Sequence, residues 1–203
     1  MAAMHPGRWG LVLLGILLAA CSPAASSPPA SSSLAADASA EPTPTGSPNE
    51  MAEPAPTGQA AACGLTIGGA GSLPLAHLGD VRVGTHDGYD RVVFEFVEVG
   101  TPAIRLEPVE PPFSMDPSGL PLTVNGSAFV GITLLGGTKM ADDGSSTYAG
   151  PTEFAPNFPA LMELVEAGDF EAVSTWYAGL SVDPCLVVFT LANPSRIVVD
   201  VQH

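Results

Sequence analysis

The chain has 203 residues, with 21 acidic side chains against 6 basic ones and a formal net charge of −15. A surface that acidic repels phosphodiester backbones and anionic headgroups, which excludes nucleic acid as a specific partner and a basic patch as the means of holding a membrane. The length beyond a lead rich in Ala, Ser and Pro is that of one ordinary domain.

Arg8 and the amino terminus precede an apolar run from Trp9 to Ala20. That run is too short for a spanning helix, which needs about 20 apolar residues, and it fits the core of a secretory leader over residues 1–20. Its end, Leu18-Ala19-Ala20-Cys21, resembles a bacterial lipobox. The resemblance implies cleavage before Cys21, lipidation of that cysteine with palmitate-type chains, and an extracytoplasmic protein lipid-anchored to the bacterial cell membrane. Two or more acyl chains hold such a protein stably, where one binds only marginally.

Residues 21–62 are Ala, Ser, Pro, Thr and Gly with a few acids and almost no large apolar side chain. Such a stretch cannot bury enough surface to offset its ordering entropy, so a disordered tether is expected. The folded domain is expected over 63–203.

Its opening hairpin runs from Val81 to Phe96 around Asp87-Gly88, a pair suited to a type I′ turn. Counting outward pairs His86 with Tyr89, Thr85 with Asp90, Val83 with Val92 and Val81 with Phe94. Val81, Val83, Val92, Phe94 and Phe96 then share one face, and Arg82, His86, Tyr89, Arg91 and Glu95 share the other; a slip of one residue would bury charge. Ile104 and Leu106 mark a short strand in a proline-rich crossover. Leu120 to Val124 and Ala128 to Leu135 flank Asn125-Gly126-Ser127, a second hairpin signal. Pro159 to Ala167 reads as the one helix, with Pro159 at its first position, Leu161, Leu164 and Val165 as its stripe and Gly168 ending it. Phe170 to Leu180 and Leu186 to Leu191 return to strand character, and Asn193-Pro194-Ser195 makes a turn.

The last strand repeats the first hairpin. Asp90-Arg91-Val92-Val93-Phe94-Glu95-Phe96 is matched type for type by Ser195-Arg196-Ile197-Val198-Val199-Asp200-Val201. The expected fold is mostly β: an antiparallel sandwich of two pseudo-symmetric sheets with one short helix.

With Cys21 lipidated, Cys63 and Cys185 form an even pair outside the cytoplasm, most simply a disulfide, with two buried thiols as the alternative. The chain contains no Gly-x-Ser-x-Gly elbow, no His-Glu-x-x-His and no P-loop. His86-Asp87 sits on a hairpin tip, poor ground for general base catalysis. Asp142-Asp143-Gly144-Ser145 lacks the alternating ligands and closing Glu of a calcium loop. No catalytic residue, metal or cofactor is therefore expected. The candidate binding face is the outward row Arg82, His86, Tyr89 and Arg91 with Arg196 from the partner hairpin. It reads either as cross-strand ion pairing, Arg82 and Arg91 with Glu95 and Arg196 with Asp200, or as a small cationic, aromatic-edged surface for a carboxylate or sugar.

The span from Val81 to His203 resembles the AMIN-like domain of bacterial, mainly actinobacterial, lipoproteins. The residues that carry the resemblance are His86 to Phe94, Thr147-Tyr148-Ala149-Gly150-Pro151, Gly168-Asp169-Phe170-Glu171, Trp176 to Leu180, and Pro194 to Val201. It implies a β-sandwich and, since AMIN domains are linked to peptidoglycan binding, a peptidoglycan or envelope-protein partner. This chain has neither the amidase nor the secretin region that accompanies such domains elsewhere. The expected function is a non-catalytic envelope lipoprotein that binds cell wall or acts as an adaptor. The alternative is a carrier or sensor holding a small ligand between its sheets.

Overall fold

The Val81–Phe96 hairpin forms in the register its apolar pattern demands, because only that pairing turns Val81, Val92, Phe94 and Phe96 into one core. It belongs to a computed structural model that describes residues 57–64 and 66–203. The expectations for the leader, Cys21 and most of the tether lie outside those residues.

Among the described residues, fourteen strands follow in chain order: β1 Thr57–Cys63, β2 Ile67–Gly69, β3 Ala76–His86, β4 Tyr89–Phe96, β5 Ala103–Pro108, β6 Phe113–Ser114, β7 Pro121–Leu122, β8 Ala128–Leu135, β9 Gly137–Thr138, β10 Glu153–Phe154, β11 Leu161–Phe170, β12 Val173–Leu180, β13 Cys185–Leu191 and β14 Ser195–Gln202. They make one six-stranded sheet ordered β1-β13-β14-β4-β3-β9 (sheet A) and a second ordered β10-β11-β12-β8-β5-β2 (sheet B), with β6 and β7 as a separate ribbon. Every pairing is antiparallel except the short β3–β9 contact. The inner faces of both sheets supply a single core, in which Phe94 of sheet A meets Trp176 of sheet B edge to face at 5.8 Å. Trp176 is fully buried and donates its Nε1 hydrogen to Ser174 Oγ at 2.9 Å, which settles its only polar atom.

The repeated segments are neighbouring strands of sheet A. β4 and β14 run antiparallel with Val93 opposite Val198 at the centre of the register, so a local two-fold axis through that pair relates the copies. Within this arrangement the arginine of each copy stands opposite the carboxylate of the other: Arg91 opposite Asp200, and Arg196 opposite Glu95. The repeat thus builds one sheet by joining two hairpins and does not generate sheet B, contrary to the expectation that it relates the two sheets.

The expected helix is a strand. Residues Leu161–Phe170 pair with β12 along their length, with register shifts between Leu161 and Glu163 and between Glu166 and Gly168. Each bulge adds a residue to the strand, so Leu161 and Leu164 both enter the core although three positions apart, while Val165 packs outward with Phe113 and Val124. A bulged strand therefore wrote the 3–4 spacing that reads as a helix. Asn125-Gly126 does not form a hairpin either. β7 pairs with β6, and Gly126 lies against the backbone of Gly179 and Leu180, where a Cβ would come within 2.9 Å of three backbone atoms. Strand β1 starts at Thr57, inside the stretch expected as tether; an edge strand needs backbone hydrogen bonds more than side-chain bulk, and Ala60 and Ala62 pack on the core. Cys63 lies directly opposite Cys185 and is joined to it by a disulfide.

Candidate functional site

The outer face of sheet A is a grid fixed by the registers of β3, β4, β14 and β13. Its successive rows read His86–Tyr89–Gln202, then Gly84–Arg91–Asp200–Val187, then Arg82–Val93–Val198–Phe189, then Asp80–Glu95–Arg196–Leu191. All five residues of the expected binding face lie on it, and the grid also contains three carboxylates to match its three arginines. The surface therefore carries no net charge, as the ion-pairing reading of the sequence has it and not as the cationic one does.

The pairing is tight at one end. Arg91 donates from Nε and Nη2 to the two oxygens of Asp200, at 2.7 and 3.0 Å, with its guanidinium 5.1 Å from the Tyr89 ring centre and 5.3 Å from that of Phe189. His86 stacks on Tyr89 with centroids 4.7 Å apart, so the hairpin tip presents a flat aromatic pair backed by an arginine. Arg82 donates to Asp80 and, at 2.7 Å, to Glu95; burial alone would lower its pKa, but those two carboxylates raise it. Arg196 points its Nε at Pro194 O, at 3.3 Å, and not at Asp200, which the antiparallel register gives to Arg91. Phe189, Leu191 and Val198, with Val93 and Val187 at their side, form a small apolar cluster in the middle of the grid.

The inner side of the same strand holds a residue that pattern reading passed over. Asp90 is fully buried, and its Oδ2 accepts the backbone N–H groups of Ala160 and Leu161 at 2.6 and 2.8 Å. Its Oδ1 makes no hydrogen bond, and its nearest partner is His203 Nε2 at 3.5 Å. The counterpart of Asp90 in the repeat, Ser195, likewise takes a backbone N–H, that of Gly100, at 2.8 Å. A polar residue at an inward position of a strand was the available signal, and its partners come from 70 residues away.

The remaining candidates have structural partners. Asp143 accepts both the N–H and the hydroxyl of Ser145, which hold its carboxyl below the ordinary value and close the loop as an Asx turn. Among the described residues no three His, Cys, Asp or Glu side chains converge as a metal-binding set, and no helix is long and apolar enough to cross a membrane. A cleft of about 490 Å³ opens at the Cys63–Cys185 end of the sandwich; another of about 290 Å³, lined by Ile104, Val188 and Ile197, reaches between the sheets.

A two-sheet antiparallel sandwich with an arginine–carboxylate grid on one outer face defines the class: a small all-β module with a flat polar and aromatic surface. The chain belongs to the AMIN-like domain family, whose model matches residues 76–203, more than half of its length. Comparison with curated proteins and with solved structures gave no match.

Proposed function

We propose that this protein is a non-catalytic, lipid-anchored module of the bacterial envelope whose AMIN-like domain binds peptidoglycan through the outer face of sheet A. AMIN-like domains are generally associated with peptidoglycan binding in envelope proteins. The observation that carries the reading to this face is the stack of His86, Tyr89 and Arg91 on a charge-balanced grid. Sugar rings are recognised by flat aromatic surfaces with planar hydrogen-bonding groups at their rim, and that stack supplies both. The charge balance shifts the mechanism from attraction by net charge to stacking and hydrogen bonding. The non-catalytic part of the reading rests on the sequence, which has no Gly-x-Ser-x-Gly elbow, no His-Glu-x-x-His and no P-loop. Anchoring rests on Leu18-Ala19-Ala20-Cys21, and Cys21→Ser should move the protein from the membrane fraction to the medium.

An anchored domain meets many copies of its ligand at high effective concentration, so intrinsic affinity on the order of 10–1000 μM suffices. The purified chain is expected to pellet with isolated cell wall and to lose most of that pelleting in Tyr89→Ala and Arg196→Ala, with unfolding midpoints kept. Because the face is neutral, pelleting should fall only modestly with salt. Wild-type protein that stays in the supernatant at every salt concentration would overturn wall binding in favour of an envelope-protein adaptor. Pelleting unchanged in both variants would remove this face from the reading.

A further inference from the structure

The chain has a single lysine, Lys139, and it lines a cleft of about 280 Å³ beside the bulged strand β11. The cleft is built from four segments, three of which are tied together by backbone bonds. Glu166 N–H donates to Thr152 O at 2.8 Å, and Asp116 N–H donates to Ala167 O at 2.7 Å. Asp169 fixes the base of the lysine, since its two oxygens accept Lys139 N–H at 2.6 Å and the Thr138 hydroxyl at 2.8 Å. Lys139 Nζ then reaches both oxygens of Glu166 at 2.7 Å, where the Glu166 side chain is 6% exposed and that of Lys139 25%.

A nearly dry Lys–Glu pair adds little to stability, because apolar residues of the same volume do as well or better. Its position in an open cleft with other polar groups makes it a candidate site instead. An ammonium has three donors, and the two Glu166 oxygens take two of them. Asp116 lines the same cleft with an exposed carboxylate that accepts no hydrogen bond among the described residues.

We propose that this cleft binds the free end of an amino acid, taking the ligand carboxylate on Lys139 and its ammonium on Asp116. A lone carboxylate would face three acids, and a lone ammonium would leave the remaining Lys139 donor unused. A group that carries both charges on one carbon answers both, and the cleft lies just below the size range of drug-sized pockets, which suits one such group. Two sources offer this chemistry: a free amino acid, and the free diamino-acid end of a peptidoglycan stem peptide. The site does not depend on the sheet A reading above.

The test is ligand-observed NMR on the full chain with meso-diaminopimelate, its N-acetylated and amidated derivatives, and a stem tetrapeptide bearing the same free end. Binding of the free diamino acid is expected, with about tenfold loss on acetylating or amidating the ligand and about tenfold loss in Asp116→Asn and in Lys139→Gln. Asp116→Asn changes an exposed side chain and should keep the unfolding midpoint, which guards against a folding artefact in the lysine variant. Arg105→Ala, at a distant exposed ion pair, should bind as wild type. Absence of binding by the wild-type chain, binding that survives acetylation, or binding untouched by Asp116→Asn would each overturn the assignment. Tighter binding of the tetrapeptide than of the free diamino acid assigns the ligand to the wall; the reverse assigns it to a free solute.

Discussion

Replacing Asp90 tests whether a buried carboxylate holds the two sheets' connections in place. Its Oδ2 accepts the N–H groups of Ala160 and Leu161, at the point where the chain enters β11 of the opposite sheet. In Asp90→Ala both donors lose their acceptor in a site with no solvent access. An orphaned buried polar group costs about 1–3 kcal/mol, more when the lost bond is charge-assisted, so the pair sets an expected loss of about 3–5 kcal/mol. That is a large share of the roughly 5–15 kcal/mol that holds a domain together. Asp90→Asn separates geometry from charge. Both bonds go to one oxygen, so an amide carbonyl in the same place can accept both, and its NH2 would face His203 Nε2, 3.5 Å from Asp90 Oδ1. Only the charge assistance is lost, and the expected cost is about 1–2 kcal/mol. Urea unfolding of the full chain with the disulfide intact, read at constant m, gives both numbers. Equal losses in the two variants, or less than about 1 kcal/mol for Asp90→Ala, would refute the account.

Two further outcomes follow from pairs at the edges of sheet A. Burial pushes the Glu98 carboxyl up, but hydrogen bonds from the His77 ring and backbone N–H outweigh it and hold the pKa below its ordinary 4.5. Its contribution is therefore complete above that unfolded value and lost as pH falls through the folded one, so Glu98→Gln should cost about 0.5–1 kcal/mol near neutrality, after solvent screening. The gap to wild type should close in acid, and a gap that persists or widens there would contradict the sign. The Cys63–Cys185 bond closes a separation of 122 residues, for which chain entropy gives an upper figure of about 4–5 kcal/mol. Alkylation of the denatured, unreduced chain should leave both cysteines unlabelled and reduction should lower the unfolding midpoint; two reactive thiols at these positions would refute the bond.

Strict alternation between Val81 and Phe96 made the first hairpin legible, since each wrong register buries an arginine or a glutamate. The turn within it was not read correctly. Gly88 alone takes positive φ, at 85°, so the turn is not type I′, and the backbone N–H of His203 holds its carbonyl at 3.0 Å. The two left-handed residues of a type I′ turn occur instead at Glu171 and Ala172, φ 51° and 60°, between β11 and β12. Neither residue signals that conformation. A hydrogen bond from Gly136 N–H to Ala172 O, from another strand's end, helps to hold it.

The candidate face shows the same division. Its five residues were assigned to the outside from alternation alone, and they are outside, because side-chain direction in a strand is a local property of period two. Which charge each arginine meets is not local. The repeat places Arg91 and Arg196 in equivalent positions, but only the antiparallel junction of β4 and β14 gives Asp200 to Arg91 and leaves Arg196 beside Glu95. The sequence by itself determined an acidic, mostly β domain, the strand faces of its first hairpin and the arginine–carboxylate pairing in kind. Tertiary structure decided that both hairpins join one sheet, that Leu161 to Phe170 is a bulged strand, and that Asp90, Lys139 and Asp116 have the neighbours they have. The physical reason is range: periodicity and turn propensity act within a few residues, whereas a bulge, an ion pair across strands and a buried carboxylate's donors are set by chain segments that meet only on folding.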